Sequence, residues 1–206
     1  MESRINAGLT PDDRLVWHDL TTTKFDGKEI EMPVLMTGLG KPPEVPSLIG
    51  GILWADQANG RLFQYGGEWP EPSVPDARFS MWTYDTYNDT WATRDADRDI
   101  TRVSFGAGTS VEWTGKGYYL GGWMNERSDI NWHGPRKASN KMIEYDFVRN
   151  TWQNSTGPVD KAGRAEGVMF YIPAGDQGML AHFGGVRIQD RVGAEEEPVS
   201  TVAFPR

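Results

Sequence analysis

Arg61 to Gly67 reads RLFQYGG, Lys116 to Gly122 reads KGYYLGG, and Met179 to Gly185 reads MLAHFGG. Each is a short aromatic or aliphatic run closed by a glycine doublet, and the doublets stand 55 and 63 residues apart. A second mark follows the first two. YDTYNDTW runs from Tyr84 to Trp91 and YDFVRNTW from Tyr145 to Trp152, 61 residues further on, with the Trp seven residues after the Tyr in both. Self-similarity at a fixed period signals a repeat architecture and takes precedence over a strand-by-strand reading. A fainter copy, HDLTTTKF from His18 to Phe25, has no doublet ahead of it, and the third doublet is followed by VSTVAFPR, where Phe204 takes the place of Tyr84 and Tyr145. The phase is half a unit, two whole units and a third cut in its second half.

Between these marks lie short β-branched or aromatic runs bounded by Gly, Pro, Asn and Asp, the pattern of strands joined by tight turns. Strands are expected at 15–19, 28–35, 48–55, 61–65, 80–84, 90–94, 105–112, 117–120, 141–145, 151–154, 167–172, 179–183 and 200–204. Each whole unit holds four, and four-stranded units at a period near 50 residues or a little above are blades of a β-propeller. The expectation is one all-β domain over 1–206, a partial ring of about three to four four-stranded blades. It comprises a half blade at 15–35, blades at 46–95 and 101–155, and an incomplete blade at 163–206.

The repeated residues have packing roles. Gly66, Gly67, Gly121, Gly122, Gly184 and Gly185 permit positive φ and let a neighbouring sheet approach where a Cβ would intrude. Asp85 and Asp146 stand where a strand becomes a turn and are placed to accept its free backbone N–H groups. Trp91 and Trp152 open a fourth strand, where an indole fills the wedge between sheets while its N–H finds a carbonyl.

Gly-Gly, then Tyr-Asp, then Trp resembles the kelch repeat over roughly Leu48 to Phe204, and the long units with Asn-rich turns are similar to fungal kelch proteins of unassigned function. The resemblance implies a propeller whose loops bind a partner, usually a protein and sometimes a carbohydrate. Kelch rings generally have six or seven blades, so about three and a half units imply a fragment of a longer propeller, two associated arcs, or an unusually small ring. An open arc leaves sheet edges and faces unpaired.

The chain contains no cysteine, which removes thiol nucleophiles, thiolate metal sites and disulfides. It also removes the Cys-crosslinked tyrosine of the copper oxidase built on kelch blades. The net charge of −8 disfavours nucleic acid and anionic membrane surfaces. No apolar run approaches the ~18 residues of a spanning helix, and residues 1–14 lack the features of a signal peptide. The sequons at Asn88 and Asn154 nonetheless fit a secreted or membrane-anchored parent.

The segment WMNERSDINWHGPR, Trp123 to Arg136, is longer than packing requires. Trp123, Arg127, Asp129, Trp132, His133 and Arg136 are its candidate binding residues, because Trp and Arg on loops held by a rigid scaffold are common interface anchors. Asn125, Asp129 and His133 recur every four residues, a spacing similar to that of plant specifier proteins that use Fe(II), with Asn where a carboxylate is expected. Such a set holds a metal only through the Asn125 carbonyl. The sequence therefore favours a non-catalytic scaffold for a protein or carbohydrate partner, without cofactor or metal, over a metal-dependent alternative at that loop.

Overall fold

The computed structural model describes residues 14–19, 34–70, 80–95, 99–188 and 197–198, in two bodies, Met1–Ser47 and Leu48–Arg206. In the first, β1 (Arg14–Asp19) pairs antiparallel with β2 (Val34–Gly40), in register from Asp19↔Val34 to Arg14↔Gly40 with one irregularity at Leu15/Val16. Of the strand expected at 28–35, residues 28–33 lie outside the described residues, and the described strand runs from Val34 to Gly40.

The described strands of the second body all pair antiparallel. β3 (Ile52–Asp56), β4 (Arg61–Tyr65), β5 (Ser80–Asp85) and β6 (Thr90–Asp95) form a four-stranded meander in chain order. β7 (Ala107–Val111) and β8 (Lys116–Leu120) form the next sheet with β11 (Lys141–Asp146) and β12 (Thr151–Thr156), order β7-β8-β11-β12. The short pair β9 (Trp123–Met124) and β10 (Lys137–Ala138) is inserted between β8 and β11. After these come β13 (Gly163–Ala165), the pair β14 (Val168–Ile172) and β15 (Met179–Phe183), then β16 (Val186–Ile188) and β17 (Glu197–Pro198), with order β13-β16-β17. The strand expected at 200–204 lies outside the described residues.

The repeated turn chemistry operates twice in the same way. Asp85 Oδ1 accepts the N–H groups of Tyr87 and Asn88, both at 3.0 Å, and Asp146 Oδ1 accepts those of Val148 and Arg149 at 3.1 and 2.8 Å. Each turn closes through a left-handed residue just before the Thr-Trp pair, Asp89 (φ 50°) and Asn150 (φ 54°), residue types that tolerate that region. The preceding tyrosine hydroxyl donates to that same residue, Tyr84 to Asp89 Oδ1 at 2.7 Å and Tyr145 to Asn150 Oδ1 at 2.8 Å.

The core between the two four-stranded sheets is aromatic. Trp54 stacks on Tyr65 (4.9 Å, 6°), Phe63 on Phe147 (4.8 Å, 6°), and Trp152 wedges against Tyr145 (4.4 Å) and Tyr65 (5.3 Å). Such pairs contribute roughly 0.5–1.5 kcal/mol each beyond the area they bury. The Trp152 ring thus lies against aromatic residues of both sheets. Trp91 rests on Tyr84 at 5.1 Å, but its indole N–H is buried and meets no acceptor among the described residues.

Consecutive sheets are joined by two backbone hydrogen bonds at the glycine doublets. Gly67 N–H donates to the Val103 carbonyl (2.9 Å), and Gly122 N–H donates to that of Arg164 (2.7 Å). Returning bonds run from Phe105 N–H to the Gly50 carbonyl (2.7 Å) and from Glu166 N–H to the Phe105 carbonyl (2.6 Å). Gly50, Phe105 and Glu166 all adopt positive φ (70°, 53° and 61°), which is why the strands expected to include positions 50 and 105 begin instead at Ile52 and Ala107. A Cβ on Gly121 would lie 2.2 Å from the Arg164 carbonyl oxygen, closer than any side chain can stand.

Gly121 and Gly115 have nearly equal φ (69° and 64°), yet a Cβ on Gly115 meets nothing within 4 Å. Gly115→Ala is expected to cost about 1 kcal/mol, the left-handed penalty alone. Gly121→Ala adds a backbone clash and a broken junction, and is expected to cost about 3 kcal/mol or more. Urea unfolding of the two variants measures the difference.

Candidate functional site

β9 and β10 pair at the base of the loop Asn125 to Arg136, with Met124↔Lys137 and Trp123↔Ala138 in register. The loop is folded on itself. Asn125 Oδ1 accepts from the N–H groups of Arg127 (2.8 Å) and Ser128 (2.9 Å), an Asx turn. Asp129 N–H donates to the Asn125 carbonyl, and Asp129 Oδ1 accepts from Asn131 N–H, both at 3.0 Å. Trp132 Nε1 donates to the carbonyls of Gly134 and Pro135 at 3.0 and 3.1 Å.

Glu68, directly after the first doublet, holds this loop from beneath. Its backbone bridges Ile49, and its side chain is only 7% exposed. The carboxylate accepts from Asn125 Nδ2 (2.8 Å) and Ser104 Oγ (3.1 Å) and forms an ion pair with Arg127, while Trp69 N–H donates to the Arg127 carbonyl (3.0 Å). Burial alone would raise the Glu68 carboxyl. The hydrogen bonds from Asn125 and Arg127, the Arg127 charge and Ser104 outweigh it and hold the group below the usual carboxylate range.

Two further ionic clusters lie along the chain. Trp123, directly after the second doublet, is 2% exposed; its Nε1 donates to Glu166 Oε1 (2.9 Å), and the Arg136 guanidinium lies 4.1 Å above its ring. Arg136 Nη2 also sits 3.5 Å from Glu166. Near the third doublet, Asp160 accepts two hydrogen bonds from buried Arg164 (2.9 and 2.6 Å) and one from Arg187 (3.1 Å). Arg164 above all, against a smaller opposing effect of burial, lowers the Asp160 carboxyl from 3.8 to about 2.

The six candidate residues thus divide. Trp123 and Arg127 lie in joints between successive sheets, while His133 and Arg136 are exposed and Asp129 and Trp132 are half-buried. Asn125, Asp129 and His133 do not present three free donors, since Asn125 Oδ1 faces two backbone N–H groups and Asp129 Oδ1 a third. Among the described residues no three His, Asp or Glu side chains gather as a metal-binding group. His182 is buried on β15, and burial, with the Arg164 charge, lowers its pKa. The sequence placed Glu68 only at the start of a second candidate loop, Glu68 to Arg78, and gave Glu166 no role. The signal for Glu68 was its place immediately after a doublet, which Trp123 and Val186 share.

No family model matches the chain. A kelch repeat-containing protein of Arthroderma benhamiae is 30% identical over 214 aligned positions, covering 82% of this chain and 31% of that protein. The solved structure of YjhT superposes with a TM-score of 0.56 at 14% identity, covering 95% of this chain and 52% of that one. The chain is a kelch-repeat relative. It spans about a third of the length of the fungal protein and about half that of YjhT.

Within this kelch-type framework the two sequons are exposed. Asn88 is in the turn after Tyr84-Asp85, where its Nδ2 reaches Asp85 at 3.2 Å, and Asn154 is on the edge strand β12, where its Nδ2 reaches Thr101 Oγ1 at 3.1 Å. No helix of the described residues is long and apolar enough to cross a membrane.

Glu68→Ala removes the shared acceptor of Arg127, Asn125 and Ser104 and is expected to destabilise by about 2 kcal/mol, less than a fully buried pair because Arg127 stays a third exposed. Chemical denaturation checks this. A second expectation concerns acid. Asp160 has a lowered folded pKa, so its stabilisation is complete above 3.8 and is lost as pH falls through about 2. Asp160→Asn should lower the melting temperature at pH 6 and flatten the part of the pH–stability curve between those values.

Proposed function

We propose that the chain is a non-catalytic kelch-type scaffold whose antiparallel sheets are successive blades, three to four in number, and that it binds a protein partner through the Asn125 to Arg136 loop. The observation that supports this is the pairing of a fixed base with an exposed tip. Glu68 and the β9–β10 pair immobilise the loop, while His133 and Arg136 remain exposed beside half-buried Trp132. A loop ordered before binding loses little conformational entropy on docking, which favours affinity. The loop's polar atoms reinforce the reading, since Asn125 and Asp129 are engaged in shaping the backbone. A second candidate loop, Glu68 to Arg78, has its residues 71–78 outside the described residues.

Trp132, His133 and Arg136 replaced together by Ala should leave the melting temperature within a few degrees of wild type. Trp and Arg anchors are worth about 2 kcal/mol each, so the variant should bind a partner recovered by affinity capture at least a hundredfold more weakly in biolayer interferometry. Unchanged affinity would remove this loop from the binding surface.

A further inference from the structure

The junction between consecutive units is built twice, so the chain itself shows what each side requires. The preceding unit offers a doublet N–H (Gly67, Gly122), a left-handed carbonyl (Gly50, Phe105) and an apolar face. The following unit offers a left-handed N–H (Phe105, Glu166) and the carbonyl two residues before it (Val103, Arg164).

The third unit presents the preceding side again. Gly185 N–H and the Glu166 carbonyl have no partner among the described residues, and a Cβ on Gly184 meets no described atom within 4 Å, where the first two doublets meet a carbonyl. The adjoining face of β14–β15 is apolar and open. Val168 is 63% and Phe170 41% exposed, and Phe170 stacks on Phe183 at 5.0 Å. At the other end of the second body the following side is equally complete. Gly50 is left-handed, and its N–H and the Leu48 carbonyl two residues earlier have no partner among the described residues. Leu53 stands where Gly108 faces Ile52 in the first junction, and it is 45% exposed.

We propose that a second copy of this chain docks head to tail, its Leu48–Leu53 segment seated on the Val168, Phe170 and Gly184 face of the first. Its Gly50 N–H donates to the Glu166 carbonyl, its Leu48 carbonyl accepts Gly185 N–H, and its Leu53 packs on Val168. A head-to-tail contact either closes or propagates. With both junctions made between the same two copies, the pair closes at two.

Sedimentation of the 206-residue protein at tens of micromolar should give twice the 23.1 kDa chain mass. Phe170→Glu on the tail and Leu53→Glu on the head should each weaken association at least a hundredfold. An equimolar mixture of the two variants should recover association, because one intact junction remains between unlike copies. Benzoylphenylalanine in place of Phe170, in a mixture of ¹⁴N and ¹⁵N protein, should crosslink between copies to the segment containing Leu48 to Leu53. A monomer at these concentrations, or crosslinks confined to one copy, overturns the proposal. A dimer unaffected by either variant, or unlike variants that fail to associate, overturns it as well.

Discussion

Two backbone hydrogen bonds at each of the first two glycine doublets are the constraint on which the rest of the second body depends. They join Gly67 to Val103 and Phe105 to Gly50, then Gly122 to Arg164 and Glu166 to Phe105. Backbone groups can meet across sheets only where no Cβ intervenes, so glycine is a geometric requirement at these positions. Phe105 and Glu166 hold positive φ at a cost of about 1–2 kcal/mol each, which the returning bonds and the packing around them offset.

Fixing the junction fixes what stands on it. With the sheets locked, Trp54, Tyr65, Tyr145 and Trp152 meet as one stacked cluster, and the residues directly after the doublets are carried into buried positions at the joints. Glu68 and Trp123 occupy that place, and each recruits charged partners from neighbouring segments. The same joints that hold the body together therefore also anchor the long loop.

Much of this was legible in the residues. The doublets, the Asp caps and the Trp152 wedge follow from local chemistry repeated in register, and strands 61–65 and 179–183 coincide with β4 and β15. Strand starts were less legible. Positive φ at Phe105 carries no compositional mark, so a Phe that reads as β-forming stands just outside its strand. The short strands β9, β10, β13 and β16 have two or three residues each, too few for any alternation to register. Within the candidate loop the aromatic and charged residues were identifiable, but their division into buried joints and exposed tip depends on Glu68 and Glu166, which lie 59 residues from Arg127 and 43 from Trp123. No local pattern reports a partner at that distance.

The doublet junctions hold the sheets together as one cooperative body. Native-state amide hydrogen exchange, resolved by NMR, tests it at the four donors Gly67, Phe105, Gly122 and Glu166. These amides are expected to exchange only through global unfolding, with protection equal to that of the β4 and β8 cores. Rapid exchange at the four, with the strand cores still protected, would mean that each sheet stands on its own and would contradict it.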